Sequence, residues 1–193
     1  MKFNKLAVSL ALGLTMGVSM TAMADDPAPV ESSQGKIQFT GFINDVPCSI
    51  DDDNLNQTVR FGEIALHELT SGKFRSDSRP FDIVLKNCST ETYKNAKITF
   101  TGGTISGFTG FTGELLGLGK VQNAGIVITD GGSKIVEFGK PFPGTGNGYD
   151  LNNGDGSETT LHFEAYVKGN EDPNNKATTG RFDTVANFKI IYQ

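Results

Sequence analysis

Hydrophobic residues in this chain recur at every second position in short runs, and the runs are divided by Gly, Asn, Asp and Ser. Ile37, Phe39, Gly41 and Ile43 form one such set, followed by Val59 and Phe61. Phe81, Ile83 and Leu85 alternate up to Cys88, and Ile98 and Phe100 make another run. Ile126 and Ile128 lead into Asp130-Gly131-Gly132, a hairpin signal before Lys134 to Phe138. Leu161, Phe163, Ala165 and Val167 alternate cleanly, and Phe188, Ile190 and Tyr192 close the chain. A period of two marks half-buried strands. The one helix-like stretch, Glu63 to Leu69, is short and reads as a turn or connector. The pattern predicts an all-β chain built as a two-layer sandwich.

Both ends depart from a closed sandwich. Lys2 and Lys5, the apolar run Leu6 to Met20 and the small residues of Thr21-Ala22-Met23-Ala24 read as a cleavable export signal over residues 1–24. That run is too short and wrongly flanked to remain as a membrane span. Residues 25–34 include Pro27, Pro29, Ser32 and Ser33 and have little to bury, which predicts an extended tail running into the Ile37–Phe39 alternation. At the other end the last strand stops at Gln193 with nothing after it to pair with its outer edge. A bare apolar edge is an aggregation hazard that proteins normally cover. Were the cover supplied by another chain, about five side chains would be buried at roughly 1.5–3 kcal/mol each. That total rivals the stability of an ordinary domain.

Composition narrows the function classes. Removing the leader takes Lys2 and Lys5 with it and leaves 15 basic residues against 22 acidic, a formal charge of −7 over 169 residues. Such a surface repels phosphate backbones and anionic lipid, which disfavours nucleic-acid and membrane-surface binding. The two cysteines of an exported chain, Cys48 and Cys88, read as one disulfide, worth about 4 kcal/mol for a loop of this length. Neither His67 nor His162 stands at a zinc spacing from them.

Candidate chemistry fails on spacing. His67-Glu68 begins like a zincin helix, but Ser71 occupies the second histidine position. The Gly-rich stretch Gly102 to Gly119 ends in Lys120-Val121 and lacks a phosphate loop's Lys-Ser/Thr, so it reads as a flexible or weakly paired connection. Asp51-Asp52-Asp53-Asn54 and Asp150-Leu151-Asn152-Asn153 lack the Gly and Glu of a calcium loop and read as solvated turns. His162 falls on the strand face opposite Leu161 and Phe163, an exposed histidine by default. No nucleophile elbow, catalytic residue, metal site or cofactor motif emerges, so the expectation is a protein that is not an enzyme.

Several segments together resemble the pilin subunits assembled by the chaperone–usher pathway, above all the major subunits of P-type and type 1 pili. Gln34-Gly35-Lys36-Ile37-Gln38-Phe39-Thr40-Gly41, followed by Asp45-Val46-Pro47-Cys48-Ser49-Ile50, is similar to the start of that domain. Phe81 to Cys88 is similar to its second-cysteine strand. Gly180, fourteenth from the C-terminus, and the penultimate Tyr192, joined by Phe182, Ala186, Phe188 and Ile190, match its ending.

The resemblance implies an incomplete immunoglobulin-like sandwich lacking its final strand, completed by strand addition of the kind known for chaperone–pilin complexes. It divides the chain into a signal at 1–24, a donor extension at 25–40 and a pilin domain at 41–193. Ile37 and Phe39 are the implied donor side chains nearest the domain, with Gly35, Ser33 and Glu31 continuing that face; a register shifted by one residue makes Val30 the distal anchor instead. Gly180, Phe182, Phe188, Ile190, Tyr192 and the carboxylate of Gln193 are the implied reading surface for a periplasmic chaperone. The implied partners are neighbouring subunits, that chaperone and an outer-membrane usher, and the implied location is a surface fimbria. The alternative within the family is a minor, adaptor or receptor-binding subunit that touches host receptors through loops such as 102–119 and 147–157.

Overall fold

The computed structural model describes residues 34–132 and 134–193 and divides the chain into two compact units, Met1–Ile43 and Asn44–Gln193. The leader, Val30, Glu31 and Ser33 lie outside the described residues. In the first unit, residues 34–43 are exposed throughout and form no helix or strand, so the first alternating run has no ladder partner among the described residues.

In the second unit two short helices, α1 (Asp52–Leu55) and α2 (Leu66–Thr70), precede eight strands. The strands are β1 (Arg79–Lys86), β2 (Asn95–Gly102), β3 (Thr104–Ile105), β4 (Leu115–Leu118), β5 (Val121–Asp130), β6 (Tyr149–Asp150), β7 (Glu158–Gly169) and β8 (Ala186–Tyr192). They form a five-stranded sheet in the order β1-β7-β5-β4-β3 and a three-stranded sheet in the order β6-β2-β8, and every pairing is antiparallel. The all-β sandwich read from the period of two is the fold found.

The alternation sets the core. Leu161, Phe163, Ala165 and Val167 of β7 face inward with Ile83 and Leu85 of β1, and all of them are buried. Phe163 stands at the centre of an aromatic cluster, with ring centroids 5.5 Å from Phe81, 5.2 Å from Phe100 and 6.4 Å from both Phe142 and Tyr149. His162 points outward as expected and meets Asp82 across the β1–β7 pair at 2.7 Å. Cys48 and Cys88 form a disulfide. Beside it Ser49 and Lys86 exchange backbone hydrogen bonds of 2.9 Å, which ties the start of this unit to the end of β1.

Two local readings change. The stretch 102–119 is more ordered than its glycines suggested: it contains β3 and β4, and its loop packs Phe108 and Phe111 against Leu115, Val127 and Tyr166. This second small core, on the outer face of the five-stranded sheet, explains why both faces of β5 are buried from Ala124 to Thr129. The hairpin after Asp130 does form, with Asp130 N donating to Lys134 O and Val136 N to Ile128 O, both at 2.9 Å. The chain then changes sheets, because Phe142 exchanges backbone hydrogen bonds with Ile98 of β2.

Candidate functional site

The five-stranded sheet ends at β1 and the three-stranded sheet at β8. Between these ends runs a groove of about 1260 Å³, and its residues all belong to the second unit. One wall is the extended segment 57–64, in which Val59, Phe61 and Ile64 turn toward the core and Thr58, Arg60, Gly62 and Glu63 are exposed. The other wall is residues 178–188, where Phe182, Ala186 and Phe188 turn inward and Arg181, Asp183, Val185 and Asn187 outward. The floor is the sandwich core itself: Phe81, Ile83, Phe100, Leu116, Leu118, Ile126, Ile128, Ala165 and Val167.

Segments 57–64 and 179–185 of the walls are extended chain outside any strand, while 186–188 belong to β8 and pair with β2. Among the described residues neither 57–64 nor 179–185 makes a backbone–backbone hydrogen bond. Unpaired edges flanking an apolar floor are a template for one more strand, whose backbone would complete the ladders and whose alternate side chains would fill the floor. The two walls touch at one level, where the rings of Phe61 and Phe182 lie 5.9 Å apart. At its far end the second wall is anchored to β5, as Thr178 N donates to Gln122 O and Gln122 N to the Thr178 hydroxyl. Gly180 then passes close to Val121, and a Cβ there would lie 3.1 Å from Val121 Cγ2, so that side chain would have to give by a few tenths of an ångström. The inner surface is apolar, and the charges Arg60, Glu63, Arg181 and Asp183 stand on the rim, with no ion pair among them in the described residues.

A family model of fimbrial proteins matches residues 37–193, four-fifths of the chain, and takes in both walls, the floor, the disulfide and the exposed pair Ile37 and Phe39. The chain belongs to the fimbrial protein family. It is 41% identical to the major MR/P fimbria protein of Proteus mirabilis over 193 residues, covering all of both chains, and 38% identical to the fimbria A protein of Serratia marcescens over 195 residues. Among solved structures it is similar to a subunit of a chaperone–usher pilus studied for rod uncoiling, with a TM-score of 0.64 and 27% identity over 86% of this chain and 99% of the other. It is also similar to the P pilus rod subunit PapA, with a TM-score of 0.57 and 29% identity over 77% of this chain and all of that one. The sandwich of this fimbrial protein is therefore the immunoglobulin-like sandwich of pilins.

On that fold the residues singled out from the sequence separate into groups. Gly180, Phe182 and Phe188 line the groove. Ile190 and Tyr192 continue the inward face of β8 but pack on the core beyond the groove, opposite Ile98 and Ala96 of β2. Burial raises the Tyr192 phenol above its ordinary pKa and pushes that of Tyr149 up to about 12. Gln193 is fixed through its backbone, which exchanges hydrogen bonds of 2.9 Å with Asn95. Gly35, Ile37 and Phe39 are exposed in the first unit. Sequence reasoning registered Val59 and Phe61 only as a further strand and did not identify 57–64 as a groove wall. The available signal was their alternation without a following partner run.

Proposed function

We propose that this fimbrial protein is a structural subunit that polymerises by strand exchange, each subunit lending its N-terminal segment to the groove of the next. The observation that carries this reading is the groove itself, an apolar floor between extended segments 57–64 and 179–185 that make no backbone–backbone hydrogen bond among the described residues. The chain also carries a segment of complementary character. Ile37 is 77% exposed, Phe39 88% and Ile43 fully so, and with Gly35 and Gly41 they would share one face if the segment were drawn out as a strand. The donor face in this proposal runs from Gly35 to Ile43, past the boundary at 40 expected from the sequence and up to the point where the chain divides into its two units. Ser33 and Glu31 continue it toward the N-terminus, and a register shifted by one residue makes Val30 the distal anchor instead. A subunit of this kind performs no reaction; apolar burial withheld from the monomer is released when the strand enters.

The similarity to major fimbrial proteins and rod subunits favours a shaft role at the cell surface over an adaptor or tip role. A periplasmic chaperone covering the groove through β8 and the Gln193 carboxylate, and an outer-membrane usher receiving the complex, are the partners that such a subunit needs before assembly. Electron microscopy of cells with and without the gene, and with residues 25–43 deleted, tests the proposal. Loss of the fibres in both strains is expected. Normal fibres from the deletion strain would refute the donor role, and fibres unchanged by loss of the gene would make this a minor subunit.

A further inference from the structure

The wall 57–64 lies beside the edge of β1, yet the two do not pair. An open strand edge is a template for the nearest extended segment, and here the nearest one belongs to the same chain and alternates apolar residues as a strand should. Pairing would engage the wall's β1-facing groups and draw it to the strand spacing of about 4.8 Å from β1, spoiling the gap in which a further strand has to fit. The structure contains a set of side chains that stands between the two. Asn54 Oδ1 accepts from Val84 N at 3.0 Å, and Gln57 Nε2 donates to Asp82 O at 2.6 Å, so two backbone groups of the β1 edge are taken by amides. From the other side Arg79 Nη2 donates to Phe61 O at 3.3 Å.

These contacts run in order along both elements, 54, 57 and 61 on the wall side against 84, 82 and 79 on β1, and each passes through a side chain. Asn54 is itself held by α1, where its N–H donates to Asp51 O at 2.9 Å, and Gln57 also donates to Asn54 O at 3.1 Å. We infer that Asn54, Gln57 and Arg79 are positioning residues for assembly: Asn54 and Gln57 occupy the β1 edge, Arg79 of β1 braces the wall through Phe61 O, and together they hold the wall off β1 so that the gap stays wide enough for an incoming strand. The inference rests on the strand-exchange reading above.

Assembly of the full exported chain from denaturant tests it, followed as multimers that survive detergent, together with amide hydrogen exchange of residues 58–63. In wild-type monomer those amides exchange fast, and multimers grow. In the Asn54→Ala/Gln57→Ala double variant the freed β1 edge pairs with the wall, so amides 58–63 gain protection and multimers grow about tenfold more slowly, the scale of two modest hydrogen bonds. Asn54→Asp keeps the acceptor for Val84 N and assembles at the wild-type rate. Gln57→Glu sets a carboxylate against the Asp82 carbonyl, so it too gains protection at 58–63 and assembles more slowly than the wild type. Unchanged exchange and rate in the double variant, or wild-type assembly by Gln57→Glu, overturns the inference and leaves strand exchange standing. Absence of multimers from the wild type overturns strand exchange itself.

Discussion

Replacing Ile37 and Phe39 by serine separates the stability of a subunit from that of the junction between subunits. Both side chains are exposed, at 77% and 88%, and both lie in the unit that precedes the sandwich, so their loss removes no contact from its core. If the donor reading is right, each is fully buried once the segment enters a neighbouring groove, a change worth about 1.5–3 kcal/mol per side chain. The double variant should then lose about 3–6 kcal/mol per junction, or roughly two to four orders of magnitude in the dissociation constant. Urea unfolding of monomer gives the first quantity, and the guanidinium concentration at which multimers fall apart gives the second. The expected result is an unchanged monomer midpoint with multimers that dissociate at much lower denaturant. Multimers as resistant as wild type would refute the burial of these side chains in a junction, and a destabilised monomer would show that they belong to their own subunit's core.

Three further outcomes follow from the sandwich. Phe163→Ala removes the centre of the aromatic cluster from a site only 1% exposed and should cost about 3–5 kcal/mol in urea unfolding. At Gly169, where a Cβ would come within 2.1 Å of the Leu69 carbonyl oxygen, alanine would push α2 away from β7; a loss of about 1–3 kcal/mol is expected, with weaker hydrogen-exchange protection in β7 near Gly169. Tyr149 has its phenol pKa raised by burial from 10.0 to about 12, so the unfolded chain ionises first as the pH rises. Stability should therefore be fully present below pH 10 and fall between about pH 10 and 12, and Tyr149→Phe should flatten that decline in urea midpoints compared at pH 8 and 11.

What the sequence determined by itself is what burial parity determines locally. Alternation at Leu161 to Val167, at Phe81 to Leu85 and at Phe188 to Tyr192 identified strands β7, β1 and β8 and the side each turns to the core, because a strand shows one face to apolar surroundings whatever its partner is. The disulfide was legible for a similar reason, since an exported chain with two cysteines has one pairing to make. Alternation says nothing about partners, and there the tertiary structure decided. Val59 and Phe61 look like any strand in the sequence, but they became a groove wall because Asn54 and Gln57 reach β1, and Arg79 of β1 reaches back to Phe61, with side chains where a backbone ladder could have formed. The glycines of 102–119 suggested a loose connection, yet Phe108 and Phe111 found Tyr166 and Val127, far along the chain, to pack on. The groove itself joins residues 57–64 to residues 178–188, more than a hundred positions apart, over a floor contributed by both sheets. Such a site exists only once the long-range pairings are made, because it is the gap that those pairings leave between β1 and β8.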